Sequence, residues 1–248
     1  LRLSYRTTVF RNEPEHAGRD REIFQVGAEL IGADDATADS EIITVLIECL
    51  RLVGIRTFKI SLGHVGFFKR LLVQAGLSPD GQKRAEAAAA RKDLPRLREI
   101  LDLERVTKSS ARAILEAPEL CGQTDTLSRA RELAGQDKPL LQSLDRLSKV
   151  YQLLCSAGLQ KVLFLDLGEF RGFEYYDGVV FDVFAEGVGV ELGGGGRYDH
   201  LIGRFGRNIP STGFALNVDR IFQAVNGAPT GSAPLRTDRR PRQEKRLR

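Results

Sequence analysis

The sequence predicts an α+β domain built on a mostly antiparallel sheet flanked by helices and interrupted by an inserted helical subdomain. Apolar alternation opens the chain, and a long Ala/Leu/Arg/Glu/Lys-rich stretch without alternation fills its middle. Short β-rich runs separated by glycine-containing turns then return before a last amphipathic segment. With 248 residues, 42% hydrophobic and 28% charged, the chain can bury a core without disulfide staples. The same composition excludes collagen-like, coiled-coil and wholly disordered classes.

Residues 1–32 read as two strands around a polar loop, with Leu1, Leu3 and Tyr5 alternating before Phe10. In the second strand Phe24, Val26, Ala28 and Leu30 share one face, and Ile23, Gln25, Gly27, Glu29 and Ile31 share the other. Gln25 and Glu29 then stand about 13 Å apart by strand rise. Gly27 is expected to leave open space between them, the shape of a small polar pocket floor. Asp34-Asp35-Ala36-Thr37 supplies N-cap candidates for a mostly buried helix over residues 38–53.

Residues 56–62 alternate as a strand, and 64–75 place Val65, Phe68, Leu72 and Ala75 on one helical stripe closed by Gly76. From Pro79 to Gly158 helical text dominates, with breaks at Pro95, Pro118 and Pro139. Strands are expected again at 162–167, 179–184 and 188–192, paired antiparallel because their connections are too short for helical crossovers. Residues 212–225 read as a closing helix with Phe214, Val218, Ile221, Phe222 and Val225 on one stripe and Arg220 opposite. This divides the chain into a first core part (1–78), the helical insertion (79–158), a second core part (159–225) and a tail (226–248).

The formal charge of +4 resides in that tail, which holds seven Lys/Arg against Asp238 and Glu244. Residues 1–225 keep 30 basic against 31 acidic groups, so the body is neutral. The tail reads as a solvated, disordered basic segment, with a nucleic-acid arm as the weaker alternative. Cys49, Cys121 and Cys155 form no C-x-x-C pair, no apolar run reaches membrane-spanning length, and no secretory leader opens the chain. A cytoplasmic location is expected. Met is absent throughout, including at position 1, and the natural N-terminus is therefore expected upstream of Leu1.

Three segments concentrate chemistry. The Arg-rich loop from Arg11 to Glu22 is either a solvated hairpin turn or a guanidinium grip on a phosphate or carboxylate. The run Gly193-Gly194-Gly195-Gly196-Arg197-Tyr198-Asp199 fits neither a Walker loop nor a dinucleotide fingerprint; its glycines admit close approach of a ligand or of a neighbouring strand. Arg171-Gly172-Phe173-Glu174-Tyr175-Tyr176-Asp177-Gly178 gathers a cation, a carboxylate and two phenols, suited to clamping a small amphoteric ligand or to packing. His16, His64 and His200 lack metal-ligand spacing, and no hydrolase nucleophile motif occurs.

Taken in order, these segments resemble the core of class II aminoacyl-tRNA synthetases in their histidyl branch. Phe10-Arg11-x-Glu13, with Gly18-Arg19-x-Arg21-Glu22-x-x-Gln25-x-Gly27-x-Glu29, is similar to the second class II motif. Arg171 to Gly178 resembles the branch's histidine-binding motif. Gly194-Gly195-Gly196-Arg197-Tyr198-Asp199, with Pro210-x-x-Gly213-Phe214-Ala215 and Arg220, resembles the third. Within the branch, Leu62-Gly63-His64-Val65-Gly66 and Ala17-Gly18-Arg19 look more like the regulatory subunits of ATP phosphoribosyltransferase, synthetase paralogues that serve histidine biosynthesis. Pro14-Glu15-His16 stands where synthetases carry Arg-Pro-Gln, and only 23 residues follow Val225 where synthetases continue into an anticodon-binding domain.

This resemblance implies a class II synthetase-like fold and a non-catalytic regulatory subunit. Its expected partner is the short-form catalytic subunit of ATP phosphoribosyltransferase, with histidine as effector and a homodimer within a hetero-oligomer. The implied histidine-binding residues are Gln25, Glu29, Arg171, Tyr175 and Tyr176, with Arg11 and Arg220 as a nucleotide-binding remnant. No cofactor, metal, membrane or nucleic-acid partner is expected. The alternative is a catalytic-core fragment of a histidyl-tRNA synthetase.

Overall fold

The computed structural model describes residues 1–11, 21–168 and 175–227. The expectations for the tail beyond Gly227, the Arg-rich loop and Arg171 lie wholly or largely outside these residues. Strands β1 (Arg2–Phe10) and β2 (Glu22–Ile31) pair antiparallel, with Tyr5 opposite Gly27. Helix α1 (Ala36–Leu52) starts where Asp35 accepts the Ala38 N–H at 2.8 Å, a side-chain cap for an otherwise unsatisfied donor. Strand β3 (Phe58–His64) leads into α2 (Val65–Gln74), capped by His64. Then come α3 (Pro79–Ala90), α4 (Leu94–Leu103), α5 (Lys108–Glu116), the short β4 (Cys121–Gly122), α6 (Thr124–Ala134) and α7 (Lys138–Ser156). Strands β5 (Leu163–Asp166), β6 (Val179–Ala185), β7 (Gly193–Arg197) and β8 (Ser211–Asn217) complete the sheet, and α8 (Val218–Asn226) ends the described chain.

The sheet runs β1-β2-β8-β7-β6-β3-β5-β4. Its pairs are antiparallel except β3 with β5, whose parallel alignment is allowed by the long helical crossover between them. The α+β reading therefore holds, while three local expectations do not. The strand expected at 188–192 is displaced to the glycine run itself, because only side-chain-free residues fit there: a Cβ on Gly195 would overlap the Gly213 carbonyl and the Phe181 ring. The helix expected over 212–225 is β8 followed by α8. Residues 211–214 are all buried, so the strand shows no alternation, and Asn217 caps the new helix by accepting the Arg220 N–H at 3.1 Å. Finally, β5 does not pair with β6, since β3 lies between them.

Helices α1 and α7 cover one face of the sheet. Buried Ile43, Leu46, Ile47 and Leu50 of α1 join Leu140, Leu144, Leu147 and Leu154 of α7 and the sheet residues Ile60, Leu62 and Leu163 in one continuous core. At about 25 cal/mol per Å² of apolar surface, each fully buried Leu or Ile contributes about 2 kcal/mol. The even-numbered Val26, Ala28 and Leu30 of β2 face this core, but Phe24 on the same stripe is 37% exposed. The odd-numbered residues point to the opposite, open face.

Candidate functional site

On that open face a cavity of about 590 Å³ lies across β1, β2, β8, β7 and β6. Its floor follows from strand periodicity: Gln25 and Glu29 come from β2, Ala215 and Asn217 from β8, and Asp182 from β6. Glycines of β7 and β8 set its depth. A side chain on Gly194 would overlap the Asp182 carboxylate, and one on Gly213 would overlap that of Glu29.

Four of the five tyrosines in the chain surround this floor: Tyr5, Tyr175, Tyr176 and Tyr198. The rings of Tyr175 and Tyr176 meet edge to face with centroids 4.7 Å apart, and Tyr175 lies tilted against Tyr198 at 5.0 Å. The Gln25 amide nitrogen donates to the Tyr5 hydroxyl at 3.1 Å, and the Tyr198 hydroxyl donates to Oε2 of Glu29. Burial pushes the Glu29 carboxyl above its ordinary range, partly offset by the Tyr198 hydrogen bond. The Tyr175 phenol is pushed up to about 12 by burial and by the charge of Glu29, so it remains a neutral donor. Tyr176 and Tyr198 move in the same direction, again chiefly through burial.

At the far end Arg220, reaching in from α8, donates to the Glu191 carbonyl at 2.7 Å and pairs with the Glu191 carboxylate at 3.0 Å. Arg11 lines the same cavity. The cavity thus carries carboxylates, phenols and guanidinium groups together, a lining suited to a small zwitterion.

The structure brings Gln25, Glu29, Tyr175, Tyr176, Arg11 and Arg220 to one cavity. Arg171 lies outside the described residues. The open space expected at Gly27 is not there: a Cβ at that position would lie 2.5 Å from the Tyr5 ring, which fills the gap. Sequence reasoning missed Tyr5, Asp182, Asn217 and Tyr198 as lining residues. Strand parity was an available signal for Tyr5, whereas Tyr198 meets Glu29 across 169 positions. His64 is half-buried and accepts the Gly66 N–H at 3.1 Å, and no cluster of metal-ligating side chains occurs among the described residues.

Arg197, in the glycine-rich motif, faces away from the cavity. Its guanidinium is 3% exposed and holds Asp39 of α1 at 2.7 Å, Asp199 at 2.9 Å and the Ala33 carbonyl at 3.1 Å. It ties the cavity wall to the helical layer.

This mostly antiparallel sheet with its polar, tyrosine-lined cleft is the fold of class II aminoacyl-tRNA synthetases, shared with a solved histidyl-tRNA synthetase-like structure. The chain belongs to the histidyl-tRNA synthetase family, whose pattern matches residues 1–221. It is 38% identical to an ATP phosphoribosyltransferase regulatory subunit of Desulforamulus reducens, over 94% of this chain and 59% of that protein. It is 40% identical to one from Moorella thermoacetica, over 90% of this chain and 57% of the relative. A crystal structure of an ATP phosphoribosyltransferase regulatory subunit/histidyl-tRNA synthetase from Bacillus halodurans superposes with a TM-score of 0.83 at 31% identity, covering 91% of this chain and 59% of that one. The chain therefore spans under two thirds of the length of these relatives.

Proposed function

We propose that this chain is the core of a non-catalytic regulatory subunit of ATP phosphoribosyltransferase, and that its cavity binds histidine. The likeness to regulatory subunits over nearly the whole chain carries the reading. Its partner is the short-form catalytic subunit, which it activates, with histidine acting as feedback effector in the first step of histidine biosynthesis. The assembly is a hetero-oligomer containing a homodimer of this subunit, and it is cytoplasmic; no helix among the described residues is long and apolar enough to cross a membrane.

Within the cavity, Tyr198 occupies Oε2 of Glu29, so a ligand N–H takes Oε1. The Gln25 amide nitrogen is committed to Tyr5, which leaves its carbonyl oxygen as the acceptor for an ammonium or imidazole N–H. Tyr175 and Tyr176 offer ring edges and neutral hydroxyls to the imidazole. Arg171 partners the ligand carboxylate by family resemblance. Arg11 and Arg220 are a nucleotide-binding remnant, and the Glu191 carboxylate beside Arg220 opposes a polyphosphate there.

A ligand shifts the complex only by its differential affinity for two conformations, and coupling of about 1–3 kcal/mol is sufficient for control. Calorimetric titration with L-histidine tests the pocket. Glu29→Gln weakens binding about tenfold or more, as expected for a hydrogen bond to a charged partner; unchanged affinity would reject the assignment. Histidine-dependent ATP/pyrophosphate exchange by the full-length protein favours the synthetase alternative.

A further inference from the structure

The wall of the cavity is formed by two short segments distant in sequence, Tyr175-Tyr176 before β6 and Tyr198 after β7. One side chain fastens them together. The Asp177 carboxylate accepts the Asp199 N–H through Oδ1 at 3.0 Å and the His200 N–H through Oδ2 at 3.0 Å, with Nδ1 of the His200 ring 2.6 Å from Oδ2. The Asp177 N–H donates to the Arg197 carbonyl at 3.0 Å, closing the link from the other side. Gly178 then lies against the Arg197 stem so closely that a Cβ would sit 2.9 Å from it. The contacts fall on the residues flanking the cavity tyrosines: Asp177 directly follows Tyr176, while Arg197, Asp199 and His200 bracket Tyr198.

We propose that Asp177 is a positioning residue for ligand recognition, a carboxylate clip that holds Tyr175 and Tyr176 in register with Tyr198 around the ligand. Asp177 does not line the cavity, and its action passes through the tyrosines. A carboxylate suits the task because it accepts from two backbone donors and an imidazole at once, whereas an amide in its place turns a donor toward one of them. This rests on the histidine-pocket reading for the identity of the ligand, and on geometry alone for the clip.

The chain has five tyrosines and no tryptophan, so near-ultraviolet circular dichroism reports chiefly on this wall. The test compares this 248-residue chain with its Asp177→Asn and Asp177→Glu variants, using far-ultraviolet dichroism to verify folding and L-histidine calorimetry for binding. In each folded variant the tyrosine signal is expected to fall by about half or more, with L-histidine affinity about tenfold lower. A folded variant with the wild-type tyrosine spectrum overturns the clip, and so does failure of both variants to fold, which makes Asp177 a fold determinant only. If wild type shows no histidine binding while the variants lose the tyrosine signal, the clip stands and the ligand assignment fails.

Discussion

Replacing Arg197 by Met separates the two roles its motif offers, structural anchor or ligand grip. Methionine keeps much of the aliphatic stem that packs against Gly178 and deletes only the guanidinium. Asp39, 1% exposed, then loses its 2.7 and 2.9 Å contacts and retains Arg146 at 3.0 Å. Removing one partner of a buried ion pair costs about 3–5 kcal/mol, and the remaining Arg146 places this case at the low end, about 3 kcal/mol. With a urea slope of about 3 kcal/mol per molar, the unfolding midpoint should fall by about 1 M. Adding Asp39→Asn to Arg197→Met should cost less than the two single losses together by about 2 kcal/mol, because the second change removes the stranded charge. Urea titration of the four proteins measures both quantities. An Arg197→Met variant within 1 kcal/mol of wild type but unable to bind ligand would refute the anchoring role.

Gly213→Ala places a methyl group where the Glu29 carboxylate lies, so L-histidine affinity should fall about tenfold or more in calorimetry, with a stability loss of about 1–3 kcal/mol in urea. His64 gives a pH prediction. Burial first, and the Arg146 charge second, lower its pKa from 6.5 to about 4. Between these values the unfolded chain binds the proton and the folded chain does not, so stability falls by about 3 kcal/mol as pH drops from 6.5 to 4. His64→Asn, which keeps an acceptor for the Gly66 N–H, should flatten that slope in urea titrations across the window. Glu29 gives a second pH prediction: its carboxyl, raised above the ordinary range by burial, must be ionised to pair with a cationic group, so histidine affinity should fall as pH drops and the carboxyl protonates, and Glu29→Gln should remove that contribution.

The elements visible in the sequence are those whose own side chains carry a period. Ile42, Ile43, Leu46, Ile47 and Leu50 declare α1, and alternation in β2 puts Gln25 and Glu29 on one face before any partner strand is known. The glycine strand β7 has almost no side chains with which to show a period, and β8 is buried on both faces. Residues 212–225 also display a stripe at helical spacing, although Phe222 is 69% and Val225 49% exposed, and of α8 only Ile221 and Ala224 pack against the core. The candidate site was half legible for the same reason. Its polar floor lies within one strand, whereas Tyr5 over Gly27 and Tyr198 on Glu29 depend on cross-strand register, which local sequence does not contain.

The regulatory reading is tested most directly by the activity of a short-form catalytic subunit of ATP phosphoribosyltransferase, measured with and without the full-length parent of this chain and titrated with histidine. Strong activation that histidine reverses is the expected result. No activation with a folded, correctly paired partner, together with histidine-dependent pyrophosphate exchange by the parent protein alone, would contradict it and make the chain part of a synthetase.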